Sequence, residues 1–210
     1  EVFLEGIDRM KRRMDEGDLE PLPTDDYLAE LLPEWEPLRA RPHRVSFHTH
    51  PIDVHNARAV LEAYRIIENG DEFDKSLQDI YSKQENSYEF LMASLLHDIG
   101  KGRGSTHSPL GAEFAETICK RFKIPIAASD RIVRAVRHHL LLPETATRRD
   151  ISDESVVADV ASQLVDLPTL QLVYLVTAAD ARATGGKAWN QWRSQLISAL
   201  YKRVAAYFEI

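Results

Sequence analysis

The stretch that most constrains this chain runs from Phe90 through Leu95-Leu96-His97-Asp98-Ile99 into Gly100-Lys101-Gly102-Arg103-Gly104. An apolar run enters an adjacent imidazole and carboxylate, and the chain then breaks into glycines that carry two cations. Any fold that takes up this stretch buries His97 and Asp98 at a helix end and must satisfy both. A buried carboxylate without a partner is costly, so it calls for a cation, a hydrogen-bonding group or a metal. Adjacent helical residues point about 100° apart, so both reach one ion only near the end of the helix, where the glycines stand. A basic glycine loop beside a metal suggests a phosphate.

The chain has 210 residues, 44% hydrophobic and 28% charged, which suits a globular domain with a sizeable core. Its net charge of −7 argues against general nucleic-acid binding and leaves room for one basic phosphate pocket. The single cysteine, Cys119, excludes an internal disulfide and a thiolate zinc site, and fits a reducing compartment such as the cytoplasm. No apolar run approaches the length of a membrane span. The chain begins at Glu1 inside a helical pattern, so a fragment of a longer protein is expected.

A helical period covers 2–16, with Phe3, Ile7, Met10 and Met14 on one face and Gly17 as the stop. Pro21 and Pro23 make an extended connection, and Thr24-Asp25-Asp26 caps a short helix through Leu32. The segment 33–51 reads as irregular, with Trp35, Arg39, Arg41, His43, Arg44, His48 and His50; its histidines are expected at the surface. Asp53 is positioned to N-cap a helix over 54–69, and 77–82 forms a turn or two. Further helices are expected over 88–99, over 108–122 with Pro109 in the first turn, and over 129–140. A polar linker covers 148–151, followed by an Asp153-capped helix to Leu164 and a very apolar helix over 168–183 that Gly185-Gly186 ends. The last helix runs from about Lys187 to the end, with Trp192, Leu196, Leu200, Val204 and Phe208 on one side. No segment has a strand period. The expectation is an all-α bundle of about eight helices, with 1–50 packed onto a domain formed by 51–210.

Asp180 closes the apolar run 172–180 and poses the same problem as Asp98. Taken singly, either carboxylate fits a salt bridge, for instance with Arg182 or Arg58. The histidines alter that balance. His55, His97, His107, His138 and His139 all lie near helix ends among apolar residues. Imidazole and carboxylate without thiolate suit Mn, Fe, Zn or Mg.

His55, then His97-Asp98, then Asp180 resembles the H…HD…D pattern of the HD superfamily of metal-dependent phosphohydrolases, whose fold is all-helical. The resemblance implies His55, His97, Asp98 and Asp180 as the primary metal ligands. It implies His107 and one or both of His138 and His139 as ligands of a second ion. A narrower resemblance covers most of the chain. Leu31-Leu32-Pro33-Glu34, Pro51-Ile52-Asp53-Val54-His55, the glycine loop, His107-Ser108, Arg137-His138-His139-Leu140-Leu141, Arg148-Arg149-Asp150, Thr177 to Gly185 and Trp189-Asn190-Gln191-Trp192 carry it. Together they are similar to the central HD domain of the bifunctional uridylyltransferase/uridylyl-removing enzymes that modify the PII nitrogen-signalling protein.

That family implies hydrolysis of the phosphodiester joining UMP to a tyrosine of PII, with a divalent cofactor, Mn or Mg first and Fe or Zn next. Asp98, Lys101 and Arg103 are then the expected catalytic residues, the two cations meeting charge on the phosphoryl oxygens. The bland alternative for both cations is a pairing with the helix C-terminus. Neither the paired aspartates of a nucleotidyltransferase nor a C-terminal ligand-sensing region is found in this sequence. Two other readings stay open: a stand-alone HD phosphohydrolase of nucleotides or cyclic dinucleotides, and a regulatory metal- or nucleotide-binding domain without catalysis. Trp189 and Trp192 are read as core residues, and neither a membrane nor a nucleic-acid partner is expected.

Overall fold

The computed structural model describes residues 2–15, 30–43, 50–103 and 106–209. The expectations on Gly17, Pro21, Pro23, the 24–26 cap, Arg44, His48 and Gly104, and on the side chains of Phe3 and Met14, lie outside what is described. In chain order, α1 is Val2–Asp15, a 3-10 helix covers Pro33–Leu38, and α2 is Ile52–Asn69. Then come α3 (Ser76–Ser82), α4 (Ser87–Leu96), α5 (His107–Arg121), α6 (Ile126–His138) and α7 (Leu141–Arg148). The last three are α8 (Glu154–Leu164), α9 (Leu167–Thr184) and α10 (Gln191–Phe208). No strand occurs among the described residues, and the fold is all-helical.

The centre of the bundle is α9. Every residue from Thr169 to Ala179 is buried, as expected of a helix that is apolar all round. It packs most extensively on α2, then on α6, α4, α10 and α3. Asp166 caps it by accepting from the Thr169 N–H at 2.8 Å, and Gly185, at φ 116°, ends it. Asp153 caps α8 and Asn190 caps α10 in the same manner. The core is continuous from Ile7 and Met10 of α1, through Leu32, Trp35 and Leu38, to Val204 of α10. No single described helix is long and apolar enough to cross a membrane.

Four details differ from the sequence reading. Pro33–Leu38, within the segment read as irregular, is a 3-10 helix that buries Trp35 and Leu38. Leu141–Arg148 is a helix of its own, with Pro143 in its first turn where a missing N–H costs nothing. Asp53 lies inside α2 rather than capping it; it is fully buried and accepts the Ala40 N–H at 3.0 Å, tying the segment before α2 to that helix. Of the stripe expected on α10, Leu200 and Val204 are buried and Leu196 and Phe208 pack against the core, but Trp192 is 62% exposed, because the start of α10 faces inward through Ser194 and Ile197; Trp189 is buried.

Glu89, Asp71 and Glu62, buried outside the site, have identifiable partners. Glu89 of α4 takes the Arg131 guanidinium on both oxygens, at 2.8 Å each. Asp71 accepts from Arg182 at 2.6 Å and from the Trp189 indole at 3.0 Å, and Glu62 holds the other side of Arg182 at 2.7 Å. Arg182 is therefore spent on this cluster, which leaves the Asp180 carboxylate to other partners.

Candidate metal centre

Five helix ends meet at one place. His55 comes from the first turn of α2, His97 from the C-cap of α4, and Asp98 from the turn that follows. His107 opens α5, His139 is the C-cap of α6, and Asp180 lies in the last turns of α9. His55, His97, Asp98 and His139 are buried, and the Asp180 side chain is 18% exposed.

Four donor atoms converge first. His55 Nε2 is 2.9 Å from Asp180 Oδ1 and 3.2 Å from His97 Nε2. His97 Nε2 is 3.3 Å from Asp98 Oδ2 and 3.4 Å from Asp180 Oδ1, and His55 Nε2 is 3.9 Å from Asp98 Oδ2. Ligands at about 2.1 Å from one cation, at right angles, stand about 3 Å apart. The cluster has that spacing.

The other oxygen of Asp98 faces a second group. Oδ1 is 3.4 Å from His139 Nε2 and 3.5 Å from His107 Nε2. Asp98 Oδ1 and His107 Nε2 are buried without a hydrogen bond. Leaving such atoms unsatisfied is expensive, and an ion between them removes the cost. The residues therefore fit a divalent cation, and they fit it at both groups: His55, His97 and Asp98 in one, Asp98, His107 and His139 in the other.

The same local device orients two of the imidazoles. His97 Nδ1 meets the Ser94 carbonyl at 2.7 Å, and His139 Nδ1 meets the Val136 carbonyl at 2.7 Å. Each ring closes its helix by donating to the carbonyl three residues back. That bond fixes a proton on Nδ1 and turns Nε2 inward, the atom that can meet a cation once it has given up a proton. His138 lies half-buried to the side of this group, and burial together with Arg137 and Arg134 pushes its pKa down. Of the adjacent pair, only His139 joins the cluster.

The electrostatics match. Burial opposes ionisation of Asp98, but His97 and Lys101 outweigh it and hold the carboxyl well below its usual range. Asp180 is held down likewise, against burial, by His97 and His55. Burial works against a charged His97, but Asp98 and Asp180 push its pKa up to about 10. Burial pushes His107 down, with Asp98 opposing. The two carboxylates are thus ionised at neutral pH and draw positive charge to one point, the demand a divalent cation meets by displacing a proton.

The basic loop divides. Lys101 Nζ is 2.5 Å from Asp98 Oδ2 and 3.4 Å from His43 Nδ1, directly at the cluster. Arg103, expected at the phosphate, instead donates to the Ile99 carbonyl at 2.8 Å and to the Glu34 carbonyl, and lies over the Phe114 ring. Arg41 donates to the Gly102 carbonyl. Gly102, at φ 82°, carries the backbone past Arg41 where a Cβ would stand 2.6 Å from its guanidinium. His43 and His50, expected at the surface, are half-buried. His43 stacks edge-on against His55, with ring centroids 5.2 Å apart. Nothing in the aperiodic segment 33–51 marks His43 as a neighbour of the cluster.

A helical bundle that gathers these histidines and aspartates is the arrangement of the HD domain, and the chain belongs to that family: the HD domain model matches residues 57–184. That span holds His97, Asp98, His107, His139 and Asp180, and His55 stands just before it. The chain is also similar to curated proteins named bifunctional uridylyltransferase/uridylyl-removing enzyme. It is 36% identical to that of Gluconobacter oxydans over 187 residues, 87% of this chain and 19% of the relative. It is 37% identical to that of Ectopseudomonas mendocina over 201 residues, 94% of this chain and 21% of the relative. The Streptomyces coelicolor protein is 37% identical over 187 residues, 89% of this chain and 21% of the relative. The chain thus spans about a fifth of the length of the curated relatives it matches, 19% to 21%.

Proposed function

We propose that this chain is a metal-dependent phosphohydrolase that removes UMP from uridylylated PII, with 51–210 as the hydrolase unit and 1–50 packed onto it. The observation that carries the reading is a complete donor set gathered at one point, in a chain similar along 87% to 94% of its length to enzymes named for uridylyl removal. The proposed cofactor is Mn or Mg, with Fe and Zn also suited to two imidazoles and two carboxylates. The proposed setting is the cytoplasm.

A bound divalent cation acidifies water and polarises phosphoryl oxygens. The protein's own part is placement. His55, His97, Asp98 and Asp180 form the first pocket, His107 and His139 complete the second, and Asp98 belongs to both. The Ser94 and Val136 carbonyls hold the Nδ1 protons of His97 and His139 and so aim their Nε2 atoms inward. Lys101 brings a positive charge to the same edge, where the phosphoryl oxygens become more negative as water attacks. In the reaction the water oxygen bonds to phosphorus and the phosphorus–tyrosyl oxygen bond breaks. The tyrosyl oxygen leaves with the electron pair and takes up a proton, giving UMP and the free tyrosine of PII.

The test is to supply uridylylated PII with Mn and follow UMP. Release that stops on chelation is the expected result. Hydrolysis of a simple phosphodiester without UMP release points instead to a stand-alone phosphohydrolase, and no hydrolysis of either overturns the enzymatic reading.

A further inference from the structure

The face of α2 that bears His55 carries a second charged residue. Arg58 lies three residues on, so its Cβ is about 5–6 Å from that of His55. Long helical side chains lean back over the turn on their N-terminal side. For Arg58 that is the turn of Val54 and His55 and the residues that lead into it. Its charge is felt there: burial first, then Arg58 and His55, push the His50 pKa down.

Arg58 is half-buried, and its Nε is buried with no hydrogen-bond partner. Among the described residues no carboxylate or carbonyl is paired with its guanidinium. Other half-buried arginines differ. Arg131 is held by Glu85 and Glu89, and Arg182 by Glu62 and Asp71. A guanidinium stays charged at any accessible pH, and burying its donors unsatisfied is costly. Lys101 meets the centre through Asp98 and His43, which share its charge. Arg58 is a fixed positive charge one helical turn from His55 that pairs with no carboxylate among the described residues, and its planar fork matches two oxygens of a phosphoryl group.

We propose that Arg58 binds the phosphoryl anion of the substrate at the edge of the metal centre, by its non-bridging oxygens. The choice of a phosphodiester as that anion rests on the function proposed above; the anion site itself rests on the geometry of α2. The test compares the Mn-loaded 210-residue chain with Arg58→Ala, Arg58→Gln and Arg58→Lys variants. Binding of inorganic phosphate, UMP and uridine is measured by calorimetry, alongside Mn affinity and melting temperature. Phosphate and UMP binding should weaken about 10- to 100-fold in Arg58→Ala and Arg58→Gln and recover in part in Arg58→Lys. Uridine binding, Mn affinity and melting temperature should not change. Phosphate bound equally by the wild type and Arg58→Gln, or not bound by the wild type, overturns the proposal. Phosphate binding that depends on Arg58 in a chain that releases no UMP from uridylylated PII upholds the anion site and sinks the function proposed above. UMP release with phosphate binding indifferent to Arg58 does the reverse.

Discussion

At the residue scale, position in the sequence and direction in space part company. Lys101 and Arg103 share one glycine loop, and sequence alone gives both the same role. The loop's torsions separate them: Lys101 is turned onto Asp98, whereas Arg103 ties the loop to Ile99 and Glu34. Lys101→Ala should lower kcat/KM by about 10²–10³ while leaving the fold intact. Arg103→Ala should cost about 1–2 kcal/mol of stability, from bonds at a partly exposed charge, with kcat within a few-fold of the wild type. Steady-state kinetics and thermal melts on the two variants check this; the opposite assignment of losses contradicts it. His138 and His139 were also indistinguishable by spacing from His107. The phase of α6 decides between them, since Ile132 and Val136 are buried and His139 continues their stripe. Apolar runs draw the eye to His97, Asp98 and Asp180, whereas His55 joins them in the sequence only through the resemblance to the HD pattern. His43 and Arg58 were not, because neither an aperiodic segment nor a cation on a helix face reveals what it faces.

At the element scale, helix ends were the most readable feature. Asp153, Gly70 and Gly185 act as expected. What failed was phase and proline. Leu141–Arg148 went unread as a helix although Pro143 stands in its first turn, and of the stripe expected on α10 Leu200 and Val204 face inward while Trp192, at its start, does not. The packing of α5 on the glycine loop depends on small residues. A Cβ on Gly100 would lie 2.6 Å from Gly111 N and closer still to the His107 carbonyl. Gly100→Ala should therefore push the start of α5 outward, cost about 1–3 kcal/mol and remove the His107 arm. Melting and Mn titration should show lower stability and the loss of one ion; unchanged values for both contradict the packing argument. The 3-10 helix is tied to α5 by Glu34, which takes Arg121 at 2.5 Å and 3.1 Å. Burial raises the Glu34 pKa, but Arg121 and a backbone bond outweigh it, and the net shift is downward. A lowered folded pKa gives stability that is present above the ordinary carboxylate pKa and lost as pH falls through the folded value. The stability gap between the wild type and Glu34→Gln should be under about 1 kcal/mol at neutral pH, because Arg121 is partly exposed. Denaturation curves should show that gap closing as the pH falls below the ordinary carboxylate range; a gap that widens in acid contradicts the assignment.

At the scale of the whole molecule, one buried helix and one buried charge cluster organise the bundle. α9 supplies the apolar centre and, in its last turns, Asp180. The other donors come from the ends of α2, α4, α5 and α6, all packed around the same core. An ion held there binds the folded state alone, so metal and stability are linked. Saturation at about 100 times the dissociation constant adds about 2.7 kcal/mol. For a chain of this length that is a rise of about 5–10 °C in melting temperature. Calorimetry with Mn and with chelator checks it, and identical melts contradict it. The central claim is narrower: Asp98 joins two ion sites through its two oxygens. The direct measurement is electron paramagnetic resonance of the chain titrated with Mn. Two ions per chain with a spin-coupled signal, reduced to one uncoupled ion in His107→Ala, is the expected result. A wild-type chain that saturates at a single uncoupled Mn contradicts it.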